Sequence, residues 1–201
     1  MSHIEKCRDY YGTLLRQHPD DPCKAVDGSP GGLAVRHKLL ADTIRQTDSR
    51  TVLDVGCGLG AFSPRCWGRD YTGIDIVPEM VAAASAKHSF LEFLECNILT
   101  PPGLGWRRFD AVVASGIFQL DTGPDYAPAM IAAMWGYANK VVAFNMLSTG
   151  TEDAKKETYE AFYDMDAIVR LCRTFTPFVK ADHSYRRNDF TVSMYREQQD
   201  V

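Results

Sequence analysis

The chain has 201 residues, a length that suits one domain of ordinary size. Hydrophobic residues make up 45% of it and charged residues 24%, which is typical of a globular protein and excludes a disordered or fibrous chain. The formal net charge of −4 disfavours a general affinity for nucleic acid or for an anionic membrane, although a local basic patch is compatible with it.

The cysteines and the N-terminus bear on the cellular compartment. No two cysteines have the spacing of a zinc site, so we expect free thiols in a reducing environment and no metal. The six are Cys7, Cys23, Cys57, Cys66, Cys96 and Cys172. The N-terminus lacks the apolar segment of a signal peptide, and no apolar run reaches the roughly 18 residues of a membrane span. The sequence therefore predicts a cytoplasmic protein with no membrane partner.

Two helices are expected ahead of the first strand. A three-to-four spacing of apolar residues predicts one helix over residues 3–17 and another over residues 33–47. Residues 18–32 are rich in proline and glycine, which is typical of a loop. We therefore expect residues 1–49 to form a helical cap or lid, and residues 50–201 to form the main domain.

Short apolar strands then alternate with helices. The five expected strands cover residues 51–55, 71–75, 90–94, 109–114 and 140–144. The helices expected between them cover residues 61–67, 78–87 and 124–138. This alternation predicts a parallel sheet covered by helices on both faces.

The last third of the chain has a different pattern. One long helix is expected over residues 152–175, followed by strands over residues 177–183 and 190–196. Because no helix separates these two strands, they are expected to pair antiparallel.

Glycines and an acid follow the first two strands. Gly56, Gly58 and Gly60 come after the first strand, where glycine allows a tight turn and a close approach to a ligand. Asp75 ends the second strand, where a carboxylate can accept both hydroxyls of a ribose. Both dinucleotides and S-adenosylmethionine fit this pattern. Asp54 would repel a pyrophosphate but could anchor an ammonium group, and Asn97 ends the third strand, where an adenine amine would lie.

Four stretches, at residues 52–60, 71–80, 92–98 and 109–116, carry a family resemblance, together with the strand that ends at Asn145. In this order and spacing the chain resembles the class I S-adenosylmethionine-dependent methyltransferases. The resemblance implies an α/β fold of three layers, with a Rossmann-like seven-stranded sheet that is mostly parallel and has its last strand antiparallel. It also implies S-adenosylmethionine as cofactor and S-adenosylhomocysteine as product.

The resemblance assigns roles to the residues at the strand ends. Asp54 and the glycine loop would hold the methionine moiety, and Asp75 the ribose hydroxyls. The adenine would lie against Asn97 and the backbone N–H of Ile98. A guanidinium at Arg36 suits the cofactor carboxylate. The cofactor-contacting residues are expected to be Arg36, Asp54, Gly56, Cys57, Gly58, Gly60, Asp75, Ile76, Met80, Asn97, Ile98, Ala114 and Ser115.

The acceptor is less defined. The Pro-Pro-aromatic run that many nucleic-acid amino methyltransferases of this family carry after the fourth strand is absent, since residues 115–118 read Ser-Gly-Ile-Phe. We therefore expect a small-molecule acceptor, with methylation on oxygen more than on nitrogen, and a monomer or homodimer. His183 is the candidate general base. Expected acceptor contacts are Tyr10, Tyr11, His37, Phe118, Gln119, Asn145, Tyr163 and Tyr185.

Two alternatives remain open from the sequence. One is an NAD-dependent oxidoreductase, because the glycine spacing also suits a dinucleotide. The other is a non-catalytic protein that keeps the fold and binds the cofactor, although the intact glycines, Asp54 and Asp75 disfavour it.

Overall fold

A computed structural model describes residues 3–19, 21, 23–26, 28–152 and 157–199. Its centre is a seven-stranded sheet in the order β3-β2-β1-β4-β5-β7-β6. The strands are β1 Thr51–Val55, β2 Asp70–Asp75, β3 Glu92–Glu95, β4 Phe109–Ala114, β5 Ala138–Leu147, β6 Val179–Arg186 and β7 Asp189–Tyr195. Neighbours are parallel from β3 to β5, whereas β7 runs antiparallel between β5 and β6. This is the sheet that the sequence predicts.

Helices cover both faces of the sheet. They are α1 His3–Gln17, α2 Pro30–Gln46, α3 Pro78–Lys87, α4 Tyr126–Tyr137 and α5 Met165–Cys172. Apolar residues of α2, including Leu40 and Ile44, pack with Val52 and Val141 on one face. The other face carries α4 and α5 over a second apolar cluster around Phe144. The chain therefore has the three layers expected, and α2 is part of one of them.

Two helix predictions are wrong. Only a short 3-10 helix, Ser63–Cys66, follows β1, because Gly68 turns the backbone at a φ of 76° and β2 begins two residues later. The long helix expected over residues 152–175 is limited to α5. Its N-terminus is fixed by Asp164, whose carboxylate accepts from the N–H of Ala167 at 2.7 Å. Residues 153–156 of that prediction lie outside the described residues.

Two strands are longer than predicted. β5 continues to Leu147, because β7 pairs with it as far as Asp189. The β6–β7 connection is the two-residue turn 187–188 and not a six-residue loop. Asn145 and His183 therefore lie within strands and not at their ends, which corrects the predicted positions of both.

No helix in the described part of the chain is long and apolar enough to cross a bilayer. The described residues also contain no cluster of three or more His, Cys, Asp or Glu side chains that could hold a metal ion.

Candidate functional site

A cavity lies at the carboxyl ends of β1, β2 and β4, where parallel α/β sheets bind ligands. It contains about 860 Å³ of empty space, part of it open to solvent. Predicted site residues that line it are Tyr11, Arg36, Gly56, Gly58, Asp75, Ile76, Met80, Asn97, Ile98, Ser115 and Gln119. The sheet therefore brings together residues that are far apart in the sequence.

The glycine loop is held by the end of β2. The N–H groups of Gly56 and Cys57 both donate to the carbonyl of Ile74, at 2.8 and 2.9 Å. Gly56 has a φ of 70°, and a Cβ atom there would lie 2.2 Å from Cγ2 of Ile117. Glycine is needed at this position both for its conformation and for the close approach of the loop after β4.

The Asp75 side chain is part of the cavity wall, and its carboxylate is bound by backbone donors. The N–H of Gly58 donates to Oδ2 and the N–H of Val77 to Oδ1, both at 2.9 Å. Burial raises the pKa of Asp75, and these backbone hydrogen bonds partly oppose the rise. Its side chain is thus oriented by the glycine loop before any ligand binds.

Asp54 lies behind the cavity wall and does not line it. Its side chain is on the α2 face of β1, where Tyr71 Oη donates to Oδ2 at 2.6 Å. The residue is only 2% exposed. Burial raises the pKa of Asp54 to about 7 although the Tyr71 hydrogen bond opposes the rise. The structure thus does not bring this carboxylate to the position of a direct ligand contact.

Arg36 enters the cavity from α2 and is part of a buried polar network. It forms an ion pair with Asp189, at the start of β7. Asp189 also accepts from Tyr185 Oη at 3.1 Å. When the Gln119 amide is oriented to satisfy its neighbours, its oxygen accepts from Arg36 at 2.8 and 3.0 Å. This network places one cation on a largely apolar wall.

Ser115 directly follows β4, and Asn145 lies within the neighbouring strand β5. Ser115 lines the cavity, and its buried hydroxyl has no hydrogen-bond partner among the described residues. Asn145 Oδ1 accepts from the N–H of Gly116 at 3.1 Å, which fixes the turn after β4. Asn145 therefore supports the cavity wall without lining it.

The Asn97 amide is engaged within its own turn. Its oxygen accepts from the N–H of Leu99 at 3.0 Å, and its nitrogen donates to Thr100 Oγ1 at 2.8 Å. Asn97 still lines the cavity, beside Ile98. A ligand that used the Asn97 oxygen would share it with the N–H of Leu99.

The structure does not bring His183 to the cavity. Its Nε2 lies 2.9 Å from the carbonyl oxygen of Arg187, and its ring packs against Phe190 on β7. The reason is the extension of β6 to Arg186, which leaves His183 in the middle of an edge strand. The predicted base therefore does not line the cavity.

Several other predicted site residues do not line the cavity. Phe118 is fully buried against Phe144 and Tyr163. His37 packs on Phe62, and burial lowers its pKa to about 4. The full set outside the lining is Tyr10, His37, Asp54, Cys57, Gly60, Ala114, Phe118, Asn145, Tyr163, His183 and Tyr185.

Sequence reasoning missed much of the front wall of the cavity. Helix α1 crosses the carboxyl end of the sheet, where Arg8 donates to the carbonyl of Ile76 at 2.6 Å and pairs with Glu95 at 2.5 Å. At its other side, Lys6 donates to the carbonyl of Asp121. Cys96, which directly follows β3 and is expected beside the cofactor, also lines the cavity. The lining residues not predicted as contacts are Cys7, Val26, Gly28, Leu33, Val55, Ile74, Gly116, Ile117, Tyr126 and Met130. Gly28 belongs to the loop over residues 18–32, which is expected to close over the cofactor, whereas Leu33 is expected only as the start of a helix.

A doubly wound sheet with a glycine loop and an acid on adjacent strand ends defines a Rossmann-like protein with a nucleoside-type ligand cavity. A family profile described as a methyltransferase domain matches residues 52–140. The chain is 32% identical, over 161 residues, to the Mycobacterium tuberculosis protein named "Putative methyltransferase Rv1506c". This alignment covers 74% of the chain and 95% of that protein.

Solved methyltransferase structures share the fold. Magnesium protoporphyrin IX methyltransferase from Synechocystis PCC 6803, with bound S-adenosylhomocysteine, superposes with a TM-score of 0.71 at 14% identity, covering 98% of this chain and all of that one. N-methyltransferase NodS from Bradyrhizobium japonicum WM9 superposes with a TM-score of 0.65 at 16% identity, covering 94% and 98% of the two chains.

The chain belongs to the class I S-adenosylmethionine-dependent methyltransferases. It is a methyltransferase that uses S-adenosylmethionine, and the NAD-dependent alternative is set aside. The residues of the cavity suit that cofactor, because an oriented carboxylate at Asp75, a glycine loop and the unpartnered hydroxyl of Ser115 face one space.

Proposed function

We propose that this methyltransferase acts on a small-molecule acceptor and methylates oxygen in preference to nitrogen. Bound S-adenosylmethionine would supply an activated methyl group. The observation that carries the proposal is the charge of the cavity: among the described lining residues, Asp75 is the only carboxylate and Arg36 the only cation. An amine acceptor, which is cationic at neutral pH, would find no carboxylate there other than Asp75, whereas an oxygen acceptor needs none.

We further propose that the cofactor lies along the strand ends. Asp75 would bind the ribose hydroxyls, and Ile76, Met80 and Ile98 would pack on the adenosine. The glycine loop and Ser115 would lie along the methionine part, with Arg36 at its carboxylate. Asp54 would act through the position of β1 and not by contact, since it lies behind the wall.

The lining supplies little acid–base chemistry. Its other titratable side chains include Cys7 and Tyr126, and burial raises the pKa of both, that of Cys7 to about 11. The described lining residues therefore do not supply a general base. They would serve to position the acceptor and to exclude water. This favours an acceptor that ionises without help, such as a carboxylic acid or an acidic phenol.

Replacing Asp75 by Ala tests the cofactor site. We expect the affinity for S-adenosylhomocysteine, measured by calorimetry, to weaken by roughly 1–3 kcal/mol, the scale of lost charged hydrogen bonds. Asp70→Ala, at the exposed opposite end of the same strand, is the matched control and should leave affinity unchanged. Thermal unfolding of both variants separates lost binding from lost folding. Unchanged affinity of a folded Asp75→Ala protein would remove Asp75 from the site.

The acceptor class is tested with S-adenosylmethionine and panels of small phenols, carboxylic acids, alcohols and amines, with methyl transfer followed by mass spectrometry. We expect products among the oxygen nucleophiles. Turnover confined to amines would overturn the preference for oxygen, and turnover confined to a nucleic acid or protein would overturn the small-molecule proposal.

Thiol chemistry offers an independent probe of the cavity. Cys96 lines the cavity and is half-buried, whereas Cys57, within the glycine loop, is buried and does not line it. Burial raises the pKa of both thiols. We expect a maleimide to label Cys96 and S-adenosylhomocysteine to slow that labelling. Peptide mapping should show Cys57 unlabelled in both cases. Equal labelling of Cys96 with and without S-adenosylhomocysteine would place the cofactor elsewhere.

A further inference from the structure

Three large aromatic side chains are almost fully exposed. Trp67 is 91% exposed, and Phe90 and Trp106 are each 100% exposed. They are the large apolar side chains that the described residues leave in water. Single exposed apolar residues are common in proteins, but fully exposed tryptophans are not needed by the fold, because they pack on nothing.

The sheet topology brings these aromatics to the amino ends of the strands. We call the surface formed by Trp67, Phe90 and Trp106 the aromatic edge. Trp67 precedes β2 by three residues, Phe90 precedes β3 by two, and Trp106 precedes β4 by three. These strands are parallel and in register with β1 between them, so their amino ends lie side by side over about 14 Å. This aromatic edge is at the end of the sheet opposite to the cavity.

Positive charge accompanies the aromatic edge. Arg65 lies two residues before Trp67, Lys87 three before Phe90, and Arg108 two after Trp106. All three are exposed, and no carboxylate of the described residues pairs with them. The exposed carboxylates nearest in sequence to these cations are Asp70, five residues after Arg65, and Glu92, five residues after Lys87 and paired with Arg107. A locally cationic rim thus exists on a chain whose net charge is −4.

We propose that the aromatic edge attaches the protein to the surface of an anionic lipid bilayer. Tryptophan and phenylalanine side chains on separate turns can enter the headgroup region, while the cations near them face lipid phosphates. Like charges on the rim disfavour pairing of two copies through it. A nucleic acid needs a positively charged groove that follows its backbone. The pocket that the described residues form at this end of the sheet instead includes the acidic residues Asp48 and Asp70 in its lining. The proposal departs from the expectation based on net charge and does not depend on the acceptor.

Vesicle co-sedimentation tests the attachment. We expect the protein to bind vesicles of phosphatidylcholine with phosphatidylglycerol, to bind pure phosphatidylcholine weakly, and to be released by salt. Tryptophan emission should shift to the blue on binding, since Trp67 and Trp106 enter the lipid whereas Trp135 stays stacked on Arg196. Absence of binding to the mixed vesicles would overturn the proposal.

Variants of exposed residues sharpen the test, because their substitution leaves the core intact. The double variant Trp67→Gln, Trp106→Gln should bind mixed vesicles at least roughly tenfold more weakly than the parent. Arg108→Glu should also weaken binding, whereas Arg187→Glu, an equal charge change in the β6–β7 turn at the other edge, should not. Affinity for S-adenosylhomocysteine should be unchanged in all.

Competing occupants give distinct results. A dimer in light scattering that the tryptophan substitutions dissociate would make the edge an interface between copies. Binding of a single-stranded oligonucleotide that the same substitutions abolish would make it a nucleic-acid surface. Either result, or equal effects of Arg108→Glu and Arg187→Glu on vesicle binding, would overturn the proposed attachment to lipid.

Discussion

Asp54→Asn is expected to stabilise the folded protein at alkaline pH. Asp54 is buried, and its pKa rises from 3.8 to about 7, so the ionised carboxylate costs folding free energy. Because the folded state holds this proton more tightly, the contribution of Asp54 to stability falls as the pH rises from about 4 to about 7 and is then constant. A pKa change of this size corresponds to roughly 4 kcal/mol.

The asparagine removes the ionisation but keeps an oxygen for the Tyr71 hydroxyl. Its amide nitrogen would need a partner, which offsets part of the gain by roughly 1–3 kcal/mol. The difference in unfolding free energy between Asp54→Asn and the parent should therefore grow, in favour of the variant, by roughly 3 kcal/mol between about pH 5 and about pH 8.

Urea unfolding at a series of pH values measures this difference. The comparison with the parent cancels the opposite contribution of His37, whose lowered pKa removes stability as the pH falls. Asp70→Asn, at an exposed position, is the control and should show no such trend. A difference for Asp54→Asn that does not change with pH would mean that Asp54 is ionised with an ordinary pKa in the folded protein.

Asp189→Ala is expected to destabilise the protein severely. Asp189 is fully buried and pairs with Arg36, which is 6% exposed. Removing the carboxylate leaves a buried guanidinium without its counter-charge, which costs roughly 3–5 kcal/mol. Arg36 also lines the cavity, which water can reach, so we expect the loss of stability to lie toward the lower end of this range. Asp182→Ala, on the same hairpin but bound only to Ser184, should cost far less.

A double variant separates folding from binding. Arg36→Met with Asp189→Leu replaces the ion pair by apolar side chains and should recover most of the stability lost in Asp189→Ala. If Arg36 binds the cofactor carboxylate, the double variant should remain folded yet bind S-adenosylhomocysteine more weakly than the parent. Parental affinity in a folded double variant would assign Arg36 a structural role alone, and failure to recover stability would show that the pair itself supports the fold.

The sheet could be predicted because its strands are marked locally. Short apolar runs that end before Gly56 and at Asp75 indicate buried parallel strands and the turns that follow them. These signals do not depend on distant parts of the chain. The C-terminal hairpin follows from two strands without a helix between them. Helix ends were harder: the 3-10 helix after β1 and the start of α5 at Asp164 depend on caps and on how the neighbouring chain segments are spaced.

The sequence by itself determined the fold, the cofactor class and the part of the cavity that lies directly after strands, such as Asp75, Asn97 and Ser115. Only the tertiary structure decided the rest of the wall. Arg36 and Asp189 are separated by 153 positions, and nothing local pairs them. His183 was misplaced because the length of an edge strand depends on its partner, here β7. Contacts between distant segments arise from packing and register, and a periodic pattern within one segment cannot report them.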